Sequence, residues 1–315
     1  MNISAVIPVK NGEEFIADSI DFLLQNMRAT DEIIYVDDNS IDKTIPRLLK
    51  KSKKHKNVKV LKNPGSGIVD ALNFGIKNSQ NNWIARFDVD DIYSKDRIER
   101  QRQLISEDVV AIFSDYMFID VNGKSLGKVL SPVFDSANIW SLVRSQRTPH
   151  PGVIFSKTAF NLAGKYLAND FPAEDVSLWW RISKYGKLIS VPEILLYYKL
   201  HNLSVTATKK NYVNLKRNEV ISLYSQTQPT TNLKFFREVY KEYKKMPNRS
   251  ERQVLAIRDY YSYINYFDTK QKLMLYFLVY IPKIIFNPKK LIIVLRLYIE
   301  KKKRSIYKSS LASFA

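Results

Sequence analysis

Three acidic segments carry most of the chemistry this sequence can do. Asp88-Val89-Asp90-Asp91 packs three carboxylates into four positions. Uncompensated, they repel one another and at least one pKa rises; a divalent cation removes the conflict. Oxygen donors alone select a hard ion, Mg2+ or Mn2+, with positions left open for phosphate oxygens. The plainer alternative is a polar loop capping the next helix, with Asp91 near its start. Asp37-Asp38-Asn39-Ser40 offers carboxylates that can accept from a ribose or a nucleobase, although such strings are also ordinary turn chemistry. Glu174-Asp175 precedes Trp179-Trp180-Arg181 and follows Phe171-Pro172-Ala173. A carboxylate there either caps a helix or, beside a shaped apolar wall, serves as general base next to a sugar ring. Gly65-Ser66-Gly67 lacks the third glycine of a dinucleotide fingerprint, Asp70 standing in its place, and reads as a turn into a helix.

These groups need a scaffold. From residue 3 to about 120, short apolar runs alternate with amphipathic ones. Ile3–Val9, Glu32–Asp38, Val58–Asn63, Trp83–Asp91 and Val109–Asp120 read as strands. Glu13–Met27, Asp42–Lys54, Gly67–Asn78 and Ser94–Ile105 have helical spacing. The alternation predicts an α/β fold, a mostly parallel sheet flanked by helices, with ligands at the carboxyl ends of the strands. Three strands end there in Pro8-Val9-Lys10-Asn11, Asp37-Asp38-Asn39-Ser40 and Asp88-Val89-Asp90-Asp91. After Asn122-Gly123 the rhythm changes: a short helix near Ser136–Arg144, a strand His150–Ser156, a helix from about Asp175 to Tyr185, and a strand pair through Leu188–Leu200 broken at Pro192. This mixed extension would build the second wall of a cleft. The expected division is 1–208, catalytic, and 209–315, helical and basic.

Composition narrows the function. The 315 residues hold no cysteine, which excludes disulfides, thiolate metal sites and a Cys nucleophile. Three histidines, His55, His150 and His201, leave little room for a multi-His centre. Mean hydropathy is −0.26, as in globular chains. The net charge of +19 is unevenly placed: residues 1–208 carry 27 Lys+Arg against 24 Asp+Glu, and residues 209–315 carry 23 against 7. No nucleic-acid-reading motif lies in the basic third. Two apolar stretches there, Leu273–Ile281 and Leu291–Ile299, fall short of the ~20 residues a span needs. Lys289-Lys290 and Lys301-Lys302-Lys303-Arg304 flank the second, so the tail reads as an interfacial, anionic-membrane-binding segment; helices packed on the catalytic domain are the other reading. Met1–Pro8 shows neither a positive n-region nor a long apolar run, so a cytoplasmic protein is expected, peripheral on the inner face of the cell membrane.

Taken together, residues 1–205 resemble the family 2 glycosyltransferases of the GT-A fold, inverting enzymes, here of the bacterial surface-polysaccharide type. The resemblance rests on Val6-Ile7-Pro8-Val9-Lys10-Asn11, Ile34 through Thr44, Gly67 to Gly75, Asp88-Val89-Asp90-Asp91 and Glu174-Asp175-Val176-Ser177-Leu178-Trp179, in that order. It implies a UDP-sugar donor, with Pro8, Val9 and Glu14 along the nucleoside, Asp38 on the uracil and Asp37 in support. Gly67, Asp70, Asn73 and Asp88 are expected on the donor side as well. Asp88 and Asp90 would form the Asp-x-Asp motif, Asp90 as the direct ligand of Mn2+ or Mg2+, with His201 reaching the metal–diphosphate. Asp175 resembles the catalytic base, and Glu174, Trp179, Trp180 and His150 are expected around the saccharide acceptor. Ala71-Leu72-Asn73 departs from the family's Ala-Arg-Asn, so one cationic contact to the nucleotide is missing and Asp70 is expected to supply a different one. The Gln-x-x-Arg-Trp motif of processive synthases is absent, which points to one sugar per encounter on a lipid-linked or surface-polysaccharide acceptor. Two other readings remain: a sugar nucleotidyltransferase, against which Asn11-Gly12-Glu13-Glu14 is unlike a phosphate loop, and a non-enzymatic basic protein binding nucleic acid or membrane.

Overall fold

The computed structural model describes residues 1–131, 148–200 and 210–225. In chain order the elements are β1 (Ile3–Val9), α1 (Ile16–Asn26), β2 (Glu32–Asp37), α2 (Thr44–Ser52), β3 (Val58–Lys62), α3 (Ile68–Lys77), β4 (Trp83–Arg86), β5 (Ile92–Tyr93), α4 (Arg97–Arg102), β6 (Val109–Ile119), β7 (Ser125–Val129), β8 (Ile154–Ser156), α5 (Lys157–Leu162), α6 (Glu174–Ile182), β9 (Lys187–Lys199) and α7 (Lys210–Ser225). One sheet runs β3-β2-β1-β4-β8-β6-β9-β5, with β7 added on β6. All described residues belong to a unit spanning Met1–Asp259. That unit extends past the expected boundary at 208: α7 packs on α6, and Val220 of α7 joins the core.

The first four strands are parallel, as the near-continuous apolar runs of β1, β2 and β4 predict, with β3 the half-buried edge. Every residue of β1 is buried. Its side chains alternate between two cores: Ala5, Ile7 and Val9 share one with Ile16, Ile20 and Leu23 of α1. Val6, with Ile34 and Val36 of β2, shares the other with Val69, Leu72 and Ile76 of α3. Helix α3 lies so close to the sheet that a Cβ at Gly75 would come within 2.7 Å of Val6 and 2.8 Å of Val36. A glycine is therefore required there by packing.

Beyond β4 the sheet is mixed. β8 runs antiparallel to both β4 and β6, β9 is parallel to β6, and β5 and β7 are antiparallel edges. Three expected strands differ in extent, the run His150–Ser156 pairing only over Ile154–Ser156. The run Trp83–Asp91 leaves the sheet after Arg86, since the carboxylates that follow cannot be stacked in a buried ladder. Instead of a broken pair, Lys187–Lys199 forms one strand through Pro192. Val191 faces Ser114 and Ile194 faces Asp115, so Pro192 and Glu193 fall in a bulge where the missing N–H needs no partner.

Among the described residues no helix is long and apolar enough to cross a membrane. The expected helix near Ser136–Arg144, His201, and the basic apolar stretches after residue 270 lie outside the described residues.

Candidate active site

The chain builds β1, β2 and β3 in one direction and then returns to place β4 on the other side of β1. At such a reversal the loops after neighbouring strands part and leave a crevice at their carboxyl ends. Val9 ends β1 there, buried with Pro8, and pairs with Asp37 of β2.

Asp38 is the best-ordered carboxylate on this side. Its N–H donates to the Val9 carbonyl (2.8 Å), and its Oδ1 accepts from the Gly67 N–H (2.9 Å) and Asn63 Nδ2 (2.8 Å). Its Oδ2 lies 3.4 Å from the Lys10 ammonium. Three elements thus fix the carboxylate before any ligand arrives, and Oδ2 is its oxygen without a backbone partner. Gly67 makes this possible: at φ +88° it sits where side chains are disfavoured, with its N–H on Asp38. The neighbouring Asp37 carboxylate accepts from the Ser40 N–H (3.2 and 3.3 Å) and shapes the turn. Glu14 is exposed in the turn before α1. Two residues expected along the nucleotide also bond within the protein, Asp70 at the surface and Asn73 half-buried. Asp70 accepts from the Ser66 N–H (3.1 Å) at the start of α3. The Asn73 amide clamps the Tyr166 backbone at both its N–H (3.1 Å) and its carbonyl (3.0 Å).

The segment between β4 and β5 brings Asp88, Asp90 and Asp91 together, with one oxygen from each within 4.8 Å of the others. Asp88 is ion-paired with Arg86, and its N–H donates to the Tyr93 hydroxyl (2.8 Å). Asp91 Oδ1 accepts from the Lys199 N–H (2.9 Å) at the end of β9, whereas its Oδ2 is buried without a partner. Burial, then the charges of Asp88 and Asp90, push the Asp91 carboxyl well above its ordinary range. An orphaned carboxylate oxygen among like charges is the environment a hard divalent cation relieves, so these residues fit such an ion. Under the loop lies Arg97, fully buried, its guanidinium 3.9 Å from the Phe87 ring centre and 4.7 Å from that of Tyr93. It donates to the Arg86 carbonyl (2.9 Å), and burial lowers its pKa to about 10.

Helix α6 begins with Glu174 and Asp175, in the first turn where the helix dipole favours negative charge. The Val176 N–H donates to Asp175 Oδ1 (2.7 Å). Trp179 and Trp180, expected beside the acceptor, are instead core residues at 0% and 1% exposure. Trp179 packs edge-on against Phe113 (5.2 Å) and Phe155 (5.7 Å), so the indoles seat the helix rather than line a cleft. Glu174 is buried and lies 3.6 Å from His150 Nδ1, while His150 Nε2 is 2.8 Å from the Tyr166 hydroxyl. Burial, and then Asp175, push Glu174 up to about 8. Burial, and then Arg86, push the His150 imidazole well below its usual value. Asp175 is half-buried; burial raises its pKa, opposed by Arg217 of α7 and by Arg86.

Arg86 is the residue that sequence reading missed. It is a buried cation at the end of β4, paired with Asp88, and its field also favours the charged forms of Glu174 and Asp175. The acidic loop and the start of α6 therefore share one counter-charge. An arginine inside the apolar run Trp83-Ile84-Ala85-Arg86-Phe87 was the available signal, because a buried guanidinium needs a carboxylate nearby.

The model of a family described as Glycosyl transferase family 2 matches residues 4–160. An uncharacterized glycosyltransferase of Haemophilus influenzae is 27% identical over 250 residues, 75% of this chain and 72% of that protein. Another, from Rickettsia felis, is 29% identical over 187 residues, 59% of this chain but 31% of the relative, so the match spans about a third of that protein's length. Among solved structures, S. aureus TarS 1–349 in complex with UDP superposes with a TM-score of 0.57 at 16% identity, covering 76% of this chain and 70% of that one. The same fragment with UDP-GlcNAc gives 0.53 at 16%, covering 83% and 73%. The mannosyltransferase PcManGT from Pyrobaculum calidifontis, in complex with GDP-Man and Mn2+, gives 0.55 at 12%, covering 94% and 84%. These structures share the GT-A-like fold.

Proposed function

The chain belongs to the family 2 glycosyltransferases, and from that premise we propose that it moves one sugar per encounter from a UDP-sugar to a hydroxyl of a lipid-linked or surface-polysaccharide acceptor, inverting the anomeric carbon. The observation that carries this reading is Arg86, the buried cation common to a carboxylate cluster suited to a metal–diphosphate and to the Glu174–Asp175 pair. The UDP and UDP-GlcNAc complexes of TarS support a uridine donor, and the Mn2+ of PcManGT supports a metal.

Asp90, with Asp88 and Asp91, would hold Mn2+ or Mg2+, which when bound neutralises charge on the departing diphosphate. On the nucleoside side, Asp38 offers Oδ2, already oriented, to a donor N–H of the base, beside Pro8 and Val9. On the acceptor side, Asp175 removes the proton of the attacking hydroxyl, being the half-buried member of the pair and the one faced by Arg217. Attack from the face opposite the leaving group inverts the stereocentre, by the facial logic of inverting glycosidases. Residues 1–208 carry the catalytic groups in this reading, with α7 packed against them, and the basic remainder of 209–315 holds the enzyme to an anionic membrane surface, with no nucleic-acid partner.

The test is a nucleotide-release screen across UDP- and GDP-sugars, with and without Mn2+, with product configuration read by NMR. UDP release that needs metal and yields the inverted anomer is expected. Pyrophosphate release would indicate a nucleotidyltransferase, and retention of configuration would overturn the mechanism.

A further inference from the structure

We propose that Tyr166, His150 and Glu174 act as one buried positioning unit, keeping the single proton of the Glu174–Asp175 pair on Glu174 so that Asp175 alone carries negative charge at the start of α6. The role rests on reading Asp175 as the base; the arrangement itself does not.

Among the described residues, the charged and titratable groups acting on the unit come from several elements, and Arg181 of α6 itself acts on Tyr166. Arg86 reaches the pair from β4, Asp88 from the loop beyond, His150 from the segment before β8, Tyr166 from the segment after α5, and Arg217 from α7. Two adjacent carboxylates in a buried place cannot both ionise without strong repulsion, so the pair settles on one charge. Its location follows from surroundings. Asp175 is half-buried, receives the Val176 N–H and is faced by Arg217. Glu174 is enclosed, its Oε2 is buried without a partner, and His150 Nδ1 lies 3.6 Å from Oε1; its own backbone N–H favours the charged form, but burial outweighs it. An unpartnered oxygen costs far less on a neutral acid than on a carboxylate. Burial and the charge of Asp175 act the same way on Glu174.

The imidazole then has a defined task. Burial and Arg86 keep it neutral, so one ring nitrogen donates and the other accepts. With Glu174 protonated, Nδ1 is the acceptor for its O–H, and Nε2–H donates to the Tyr166 hydroxyl oxygen at 2.8 Å. The Nδ1 to Oε1 separation of 3.6 Å stands just outside hydrogen-bond range, so this bond requires the two side chains to draw together by a few tenths of an ångström. The opposite polarity, Tyr166 to Nε2 and Nδ1–H to a Glu174 carboxylate, would put a second anion beside Asp175 with one oxygen unsatisfied.

Two measurements test this. The first needs no turnover: urea unfolding of the parent and Glu174→Gln between pH 5 and 8. A proton held in the folded state up to about 8 and released near 4.5 on unfolding makes stability fall as pH rises across that window. The parent should fall relative to E174Q, which has no such proton; parallel curves would overturn the proposal. The second is the pH–rate profile. Glu174→Ala should lose at least tenfold in kcat, with E174Q recovering most of it, because the amide mimics the neutral acid. Tyr166→Phe, which leaves the fold least disturbed, should move the acidic limb upward by about half a pH unit or more. An E174Q variant no better than E174A would refute the role. If the parent transfers no sugar at all, the functional reading fails while the unfolding comparison still decides the protonation.

Discussion

Replacing Arg86 by Met keeps the aliphatic stem in the core and deletes the guanidinium. The ion pair it breaks is largely enclosed, with side-chain exposures of 3% for Arg86 and 26% for Asp88. Removing one partner of a buried pair costs about 3–5 kcal/mol, because the other charge is left uncompensated. Water reaches a quarter of Asp88, so the lower end applies, about 3 kcal/mol. For a domain of this size that corresponds to a Tm lowered by roughly 6–12 °C. The second effect is on titration. Arg86 holds the Asp175 pKa down against burial, so its loss raises that pKa. Transfer requires ionised Asp175; activity should therefore fall more at low pH than at high pH, and the acidic limb should move upward. Differential scanning calorimetry and a pH–rate profile read the two effects. A Tm within about 2 °C of the parent together with an unmoved limb would refute the claim that Arg86 serves both carboxylate groups.

Four further outcomes are expected. Asp175→Asn should lower kcat by about 10²–10⁴-fold while UDP affinity by calorimetry stays close to the parent's; poor donor binding would contradict the base assignment. Asp90→Ala should weaken Mn2+-dependent donor binding, and transfer by the parent in excess chelator would contradict the metal site. In Gly75→Ala, helix propensity gains about 1 kcal/mol. The methyl meets Val6 and Val36 at 2.7 and 2.8 Å on rigid central strands, and overpacking costs about 1–3 kcal/mol. A net loss near 1 kcal/mol in urea titrations is expected. Deleting residues after about 270 should release the protein from anionic vesicles while a soluble acceptor analogue is still glycosylated; loss of both would make the tail structural.

The parallel half of the fold was legible because β1 and β2 carry near-continuous apolar runs, Ala5–Val9 and Ile33–Val36, and only a strand covered on both faces needs that. The acidic loop was legible because three carboxylates in four positions have few structural uses. Periodicity could not show that the strand ends at Arg86 rather than Asp91. Where a strand stops depends on which neighbour still offers partners, and the last residue of β4 to find one on β1 faces Val6. Trp179 and Trp180 misled for a related reason: large aromatics near a candidate base look like a sugar platform, but seven of the nine residues of α6 are buried. The role of Asn73 was hidden because clasping Tyr166, 93 positions away, is a matter of tertiary placement, whereas the Asp70 bond to the Ser66 N–H is local to the start of α3. His150 had no local signature, since its partners come from sixteen and twenty-four residues downstream.

The bond from the Lys199 amide to Asp91 joins the acidic loop to the last residue but one before the chain leaves the described sheet. Its companions there are the two-residue pairing of β5 with β9 and the Leu200 amide on the Ile119 carbonyl. Asp91 is therefore tied to the end of the β6–β9 ladder, where Lys199 faces Ile119, so the acidic loop is braced by a long strand pairing rather than by its own short turn.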